Sequence, residues 1–121
     1  MNTAEEYEWL FAIIDSKVNK LEIYRRVGVT LPEVADIIGT NRTYASRAIC
    51  SRYRNFRDYI NTLRVEKVLE DMSDPDFDYA RFQDVDEMAD YYGFRSIRSM
   101  DRILVMETGY TYSKLRKKYF L

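Results

Sequence analysis

Histidine is absent from this chain of 121 residues, which removes the usual general base at neutral pH and, with a single cysteine, the usual set of zinc ligands. No metal and no other cofactor is therefore expected. The lone Cys50 can form no internal disulfide, and the acidic start MNTAEEYEW lacks the basic region of a secretory signal, so a reducing cytoplasm is the expected location. No apolar run approaches the roughly 20 residues that span a bilayer, so no membrane partner is expected. A glycine-rich phosphate loop is missing too. The carboxylates fall in runs such as Asp74, Asp76 and Asp78, which lack a partner set for acid–base work and read as solvated surface, leaving an enzyme as the remotest reading. Two prolines and four glycines leave little room for linkers, while 46% hydrophobic and 32% charged residues make an ordinary globular balance. A chain of this length forms one domain, or two very small ones sharing a helix.

The stretch Leu31 to Arg52, LPEVADIIGTNRTYASRAICSR, organises the rest. Leu31, Val34, Ala35, Ile37 and Ile38 have the spacing that gives a short helix one buried face. Gly39 stops that helix, since glycine accepts a left-handed backbone, and Asn41 is a good N-cap for a second helix from Arg42. Two helices across a short glycine turn form a helix-turn-helix pattern, whose second helix enters the DNA major groove. In that second helix Ala45, Ala48 and Ile49 should pack inward, leaving Arg42, Thr43, Ser46, Arg47 and Cys50 outside. Arginine, threonine and serine can bond base edges or phosphates, although any surface helix carries such residues.

An internal repeat favours the first of those readings. Glu33, Val34, Ala35, Asp36, two apolar residues and Gly39 recur 54 positions later as Glu87, Met88, Ala89, Asp90, two tyrosines and Gly93. With one residue added after the glycine, Ser46, Arg47, Ala48 and Ile49 fall on Asp101, Arg102, Ile103 and Leu104. Charge follows the same division: the net value is −3 over residues 1–40, +5 over 41–67, −8 over 68–93 and +5 over 94–121. Basic charge is concentrated where the two second helices and their following segments lie. A DNA footprint is local, so these segment values outweigh the net charge of −1, although the field of the whole chain opposes binding at long range.

Around this core, Thr3 to about Lys20 reads as an amphipathic helix with Tyr7, Leu10, Phe11, Ile14, Val18 and Leu21 on one stripe, broadened by Trp9 and Ile13. It packs over the first helical pair or, alternatively, forms a dimer contact. Glu22 to Thr30 reads as a short connection. Phe56 to about Met72 is a helical spine whose apolar face, including Leu63 and Val68, is long enough to touch both halves, and Pro75 closes it ahead of a loop over Ser73 to Gln83. The second unit begins at Asp84 or Asp86 as cap, uses Ser96 as the next cap, runs to about Glu107 and stops at Gly109; Ser113 to Lys118 forms a last short helix.

With both units in view, Leu31 to Lys118 resembles the DNA-binding domain of AraC/XylS-type transcription regulators. The resemblance rests on the first unit, on FRDYINTLRVEKV (Phe56 to Val68), on Gly93 and Phe94, and on METG and LRKK (Met106 to Gly109 and Leu115 to Lys118). The sequence departs from that pattern at Tyr53 in place of a glycine, at Met100 and Leu104 in place of aromatics, at Val105 and Met106 in place of lysines, and at Tyr112 in place of a proline. The resemblance implies an all-α fold of two helix-turn-helix subdomains, homeodomain-like three-helix units joined by a long shared helix. The corresponding division is 1–55, 56–72 and 73–121. It also implies promoter binding through two adjacent major grooves, with double-stranded DNA as partner and RNA polymerase as a further candidate. The chain is then a stand-alone regulator or the DNA-binding end of a longer protein.

The candidate DNA-contacting residues are Arg42, Thr43, Ser46, Arg47, Arg52 and Arg54 in the first unit and Arg95, Ser96, Arg98 and Arg102 in the second. Arg47 and Arg102, at one place in the repeat, are the best candidates. Asp101 next to Arg102 could pair with it, in which case that arginine is plain surface, or repel phosphate, although a carboxylate can also accept a bond from cytosine. The alternative function is a protein interaction module on the same scaffold, with weak or lost DNA binding.

Overall fold

The computed structural model describes residues 3–120, so the first two residues of the acidic start and Leu121 lie outside it, and every regular element among the described residues is helical. Seven α-helices follow one another: α1 (Thr3–Lys20), α2 (Leu31–Ile38), α3 (Arg42–Cys50), α4 (Phe56–Ser73), α5 (Val85–Tyr91), α6 (Ile97–Thr108) and α7 (Tyr112–Leu115). Their boundaries are set by local caps. Thr30, Asn41, Asn55, Asp84 and Ser96 each take an extended backbone and accept a hydrogen bond from the amide three residues on, which satisfies one of the donors a helix start leaves open.

The repeat is a repeat of geometry as well as of letters. At the start of α2 the Glu33 amide donates to Thr30 Oγ1 (3.4 Å) and the Thr30 hydroxyl to the Glu33 carboxylate (3.1 Å). At the equivalent place the Glu87 amide donates to Asp84 (2.8 Å) and the Glu87 carboxylate accepts from the Gln83 amide (2.8 Å). Both helices end on a left-handed glycine, Gly39 at φ 87° and Gly93 at φ 95°, and the next amide reaches back to the equivalent carbonyl: Thr40 to Ala35 (3.0 Å), Phe94 to Ala89 (2.9 Å). In the following helices Ala45 and Ile49 match Met100 and Leu104, all four fully buried.

Each helix pair closes its own apolar cluster. Phe11, Ile14 and Val18 of α1 pack with Val34, Ala45, Ile49, Tyr59 and Leu63, whereas Val65, Val68 and Met72 pack with Met88, Tyr92, Met100 and Leu104. α4 therefore divides its face between the two, its N-terminal half in the first cluster and its C-terminal half in the second. The α1 stripe is narrower than its sequence suggests: Trp9 is 61% exposed and Leu21 56%. Trp9 precedes Phe11 by two residues, about 200° round a helix, so it faces away from α2 and α3.

The connection after α1 is a structural joint. It folds into a 3₁₀ turn, Ile23–Arg25, with Ile23 and Tyr24 buried. From α4, Arg64 Nε donates to the Tyr24 carbonyl (2.7 Å) and Nη2 to that of Arg26 (3.1 Å). From the turn, Arg25 Nε donates to the Tyr91 carbonyl (2.7 Å), with its guanidinium 3.8 Å from the Tyr91 ring centre. These bonds hold the two helix pairs against one another.

The segment Ser73 to Gln83 is likewise more ordered than a plain loop. Asp74, Asp76 and Asp78 are exposed, but Tyr79–Arg81 forms a 3₁₀ turn and Phe77 stacks against Tyr79 at 4.8 Å and near Phe82 and Tyr91 at 6.2 Å. The last helix begins one residue before the expected Ser113, ends at Leu115 and passes into a wider π turn over Arg116–Phe120. Asp101 Oδ1 accepts from the Tyr112 amide at 2.8 Å and so helps fix that start.

Each cluster contains a buried tyrosine bonded to a carboxylate: Tyr59 donates to Asp15 Oδ1 (2.7 Å) and Tyr92 to Asp71 Oδ2 (2.9 Å). Burial first, then the neighbouring carboxylate, raises both phenol pKa values. Lys67 lies 3.6 Å from the other Asp71 oxygen, so Tyr92→Phe leaves that buried carboxylate with a cation and removes one hydrogen bond. The expected loss is about 1 kcal/mol in urea unfolding. An unchanged midpoint would show that the bond contributes nothing net.

Candidate nucleic-acid interface

α3 turns Ala45, Ala48 and Ile49 into the first cluster, which leaves Arg42, Thr43, Arg47 and Cys50 exposed and Ser46 half-buried. The two hydroxyls and two guanidiniums lie within six successive positions, beginning at the helix start that Asn41 caps. Arg47 Nη1 donates to the Tyr7 hydroxyl of α1 at 3.1 Å. α1 thus holds the head of the arginine most expected to contact DNA. Arg52 is exposed, its guanidinium 5.7 Å from the Phe11 ring centre. Arg54 pairs with Asp58 at 3.6 Å through a side chain 86% exposed, an ion pair too open to hold it firmly.

In the second pair, Arg95, Arg98 and Arg102 are exposed and their side chains have no hydrogen bond or ion pair among the described residues. Ser96 caps α6 as its sequence position suggests: its hydroxyl accepts from the Ser99 amide (3.1 Å) and donates to the Ser99 hydroxyl (3.2 Å), so these bonds engage the group that is also a candidate for DNA contact. Asp101 Oδ1 accepts from the Tyr112 amide and forms no ion pair with Arg102 among the described residues. Beside these cations Val105 and Met106 are 45% and 76% exposed, which gives the outer face of α6 an apolar end.

A cleft of about 920 Å³ lies between the first turns of α4 and one wall of α6, and it brings together residues that spacing alone did not associate. Arg54, Arg57, Arg64, Arg95 and Arg102 line it, with Asp58 as its one acidic side chain. Arg57 and Arg64 were not among the residues singled out from the sequence, although both belong to the segment of +5 charge between residues 41 and 67. Helical periodicity marks Arg57 as a surface position and cannot say that α6 lies opposite. Arg64 is half-buried, and desolvation lowers its pKa to about 10, which leaves it charged at neutral pH.

Among the described residues no group of histidine, cysteine and carboxylate side chains could hold a metal ion, and no helix is long and apolar enough to cross a membrane. No protein-family model, no characterised protein and no solved structure matches the chain.

Proposed function

We propose that this chain is a sequence-specific DNA-binding transcription regulator of the AraC/XylS type, built from two helix-turn-helix subdomains that share α4 and set α3 and α6 into adjacent major grooves. The observation that carries this reading is the geometric repeat: two helix pairs with the same capping, the same left-handed glycine and the same buried positions, each exposing arginine on the outer face of its second helix. In this reading arginines and lysines neutralise phosphates, and the exposed faces of α3 and α6 read base edges. α4, at 18 residues, is about 27 Å long, which suits two recognition helices separated by about 34 Å, one turn of DNA.

A second reading, a protein-binding module on the same scaffold, is favoured by the exposed Trp9, Val105 and Met106. Salt separates the two. For a phosphate-driven complex the logarithm of affinity falls with the logarithm of salt at a slope of about −0.9 per phosphate contacted, and a gel shift on random duplex at two salt concentrations measures it. A steep negative slope is the expected result; a slope near zero, or no shift at all, favours the protein-binding module.

A further inference from the structure

We propose that the cleft between α4 and α6 is a phosphate-binding site, taking a phosphate ester presented by a DNA backbone or by a free phosphorylated small molecule. The first ground is charge that the protein does not itself neutralise. Five guanidiniums line the cleft against one carboxylate, Asp58, which is itself engaged by Arg54. The side chains of Arg57, Arg95 and Arg102 have no hydrogen bond or ion pair among the described residues. Cations gathered without partners repel one another, and a bound anion relieves that repulsion.

The second ground is how the cations are held. Arg64, in the lining of the cleft, is fixed by the carbonyls of Tyr24 and Arg26, with no carboxylate within ion-pair distance among the described residues, and its guanidinium lies 5.5 Å from the Phe94 ring centre. Its position is therefore set before any ligand arrives. Across the gap α6 contributes Ser99, Arg102, Ile103 and Met106, at i, i+3, i+4 and i+7 on one helix face. Planar guanidiniums present paired donors that match phosphate oxygens better than a point charge would, and two or more converging on one volume favour a phosphate over a lone carboxylate. Arg95 crosses toward the connection, with its Nη2 close enough to Gly28 that a Cβ there would sit 3.0 Å away.

When the ligand is the DNA backbone, this inference rests on the DNA reading above; when it is a free phosphate ester, it stands without it. The test uses the full chain as wild type, Arg57→Gln and the double variant Arg57→Gln/Arg102→Gln, with circular dichroism to show that each remains folded. Both positions are exposed, and Arg64 is left intact because it ties the two helix pairs together. Each protein is titrated calorimetrically with inorganic pyrophosphate and with ATP at low salt, and in parallel with duplex DNA across a range of salt. Arg57→Gln is expected to weaken binding of the phosphate ligand about tenfold, and on duplex to make the salt slope shallower by about 0.9. Pyrophosphate or ATP binding that the variants lose identifies a free ligand. An effect confined to duplex identifies the backbone. Wild-type binding of pyrophosphate without any binding of duplex keeps the cleft and removes the DNA reading. Duplex binding with an unaltered affinity and slope in the double variant, together with no titration by pyrophosphate or ATP, overturns the proposal.

Discussion

Gly93→Ala is expected to destabilise the protein by about 3 kcal/mol or more, against about 1 kcal/mol for Gly39→Ala, although the two glycines occupy the same place in the repeat. Both have a left-handed backbone, φ 95° and 87°, so each substitution carries the conformational strain of an L side chain in that region. They differ in what surrounds them. A Cβ on Gly39 meets nothing within 4 Å, whereas one on Gly93 would lie 2.7 Å from the Tyr24 carbonyl oxygen, 2.7 Å from Arg64 Nε and 3.1 Å from Arg25 Cα. Two of those three atoms are backbone, and the third donates a hydrogen bond to the same Tyr24 carbonyl, so no flexible side chain can simply move aside. Accommodating the methyl group means pushing the 3₁₀ turn off α5 and losing the bonds that join the two helix pairs. Urea unfolding followed by circular dichroism measures both variants. Equal losses would show that the joint yields at little cost and that Gly93 serves only as a helix end.

That contrast also marks where the sequence stopped being informative. The starts of α3, α5 and α6 were legible because their determinants lie within four residues of one another: Asn41 with Tyr44, Asp84 with Glu87, Ser96 with Ser99. Periodicity likewise identified Leu63 and Val68 as buried, since α4 needs an apolar face for each cluster. The joint was invisible for the opposite reason. Arg64 and Tyr24 are 40 residues apart and Arg25 and Tyr91 are 66 apart, and no local pattern distinguishes a guanidinium that bonds a distant carbonyl from one that faces water. The bond of Asp101 was hidden in the same way, its partner being an amide eleven residues on. At the candidate interface, the residue types and the two basic segments were readable, but the convergence of Arg57, Arg64 and Arg102 on one cleft depends on how α6 packs against α4.

The arginines at the repeated position are expected to respond differently to removal, Arg47→Ala weakening binding to a preferred site roughly 10- to 100-fold and relaxing discrimination at one base pair. Arg47 stands on the outer face of α3 with its guanidinium held 3.1 Å from the Tyr7 hydroxyl, so in the proposed function it would meet DNA already oriented, which suits a bidentate contact with a base. Arg102 has no such support. It is exposed, unpaired and on the wall of an arginine-lined cleft, where a phosphate is the nearer match than a base edge. Arg102→Ala should therefore weaken binding less, act evenly across sequences and make the salt slope shallower by about 1. Tyr7→Phe supplies the control: it leaves Arg47 in place but frees its head, so it should reproduce a small part of the Arg47→Ala loss without altering the salt slope. Binding-site selection from a random duplex pool, followed by affinity measurements on the preferred site and on one-base variants, reads all three. Equal, sequence-selective losses from both arginines would show that α6 reads bases as fully as α3. No loss from Arg47→Ala would remove the main ground for placing α3 in the groove.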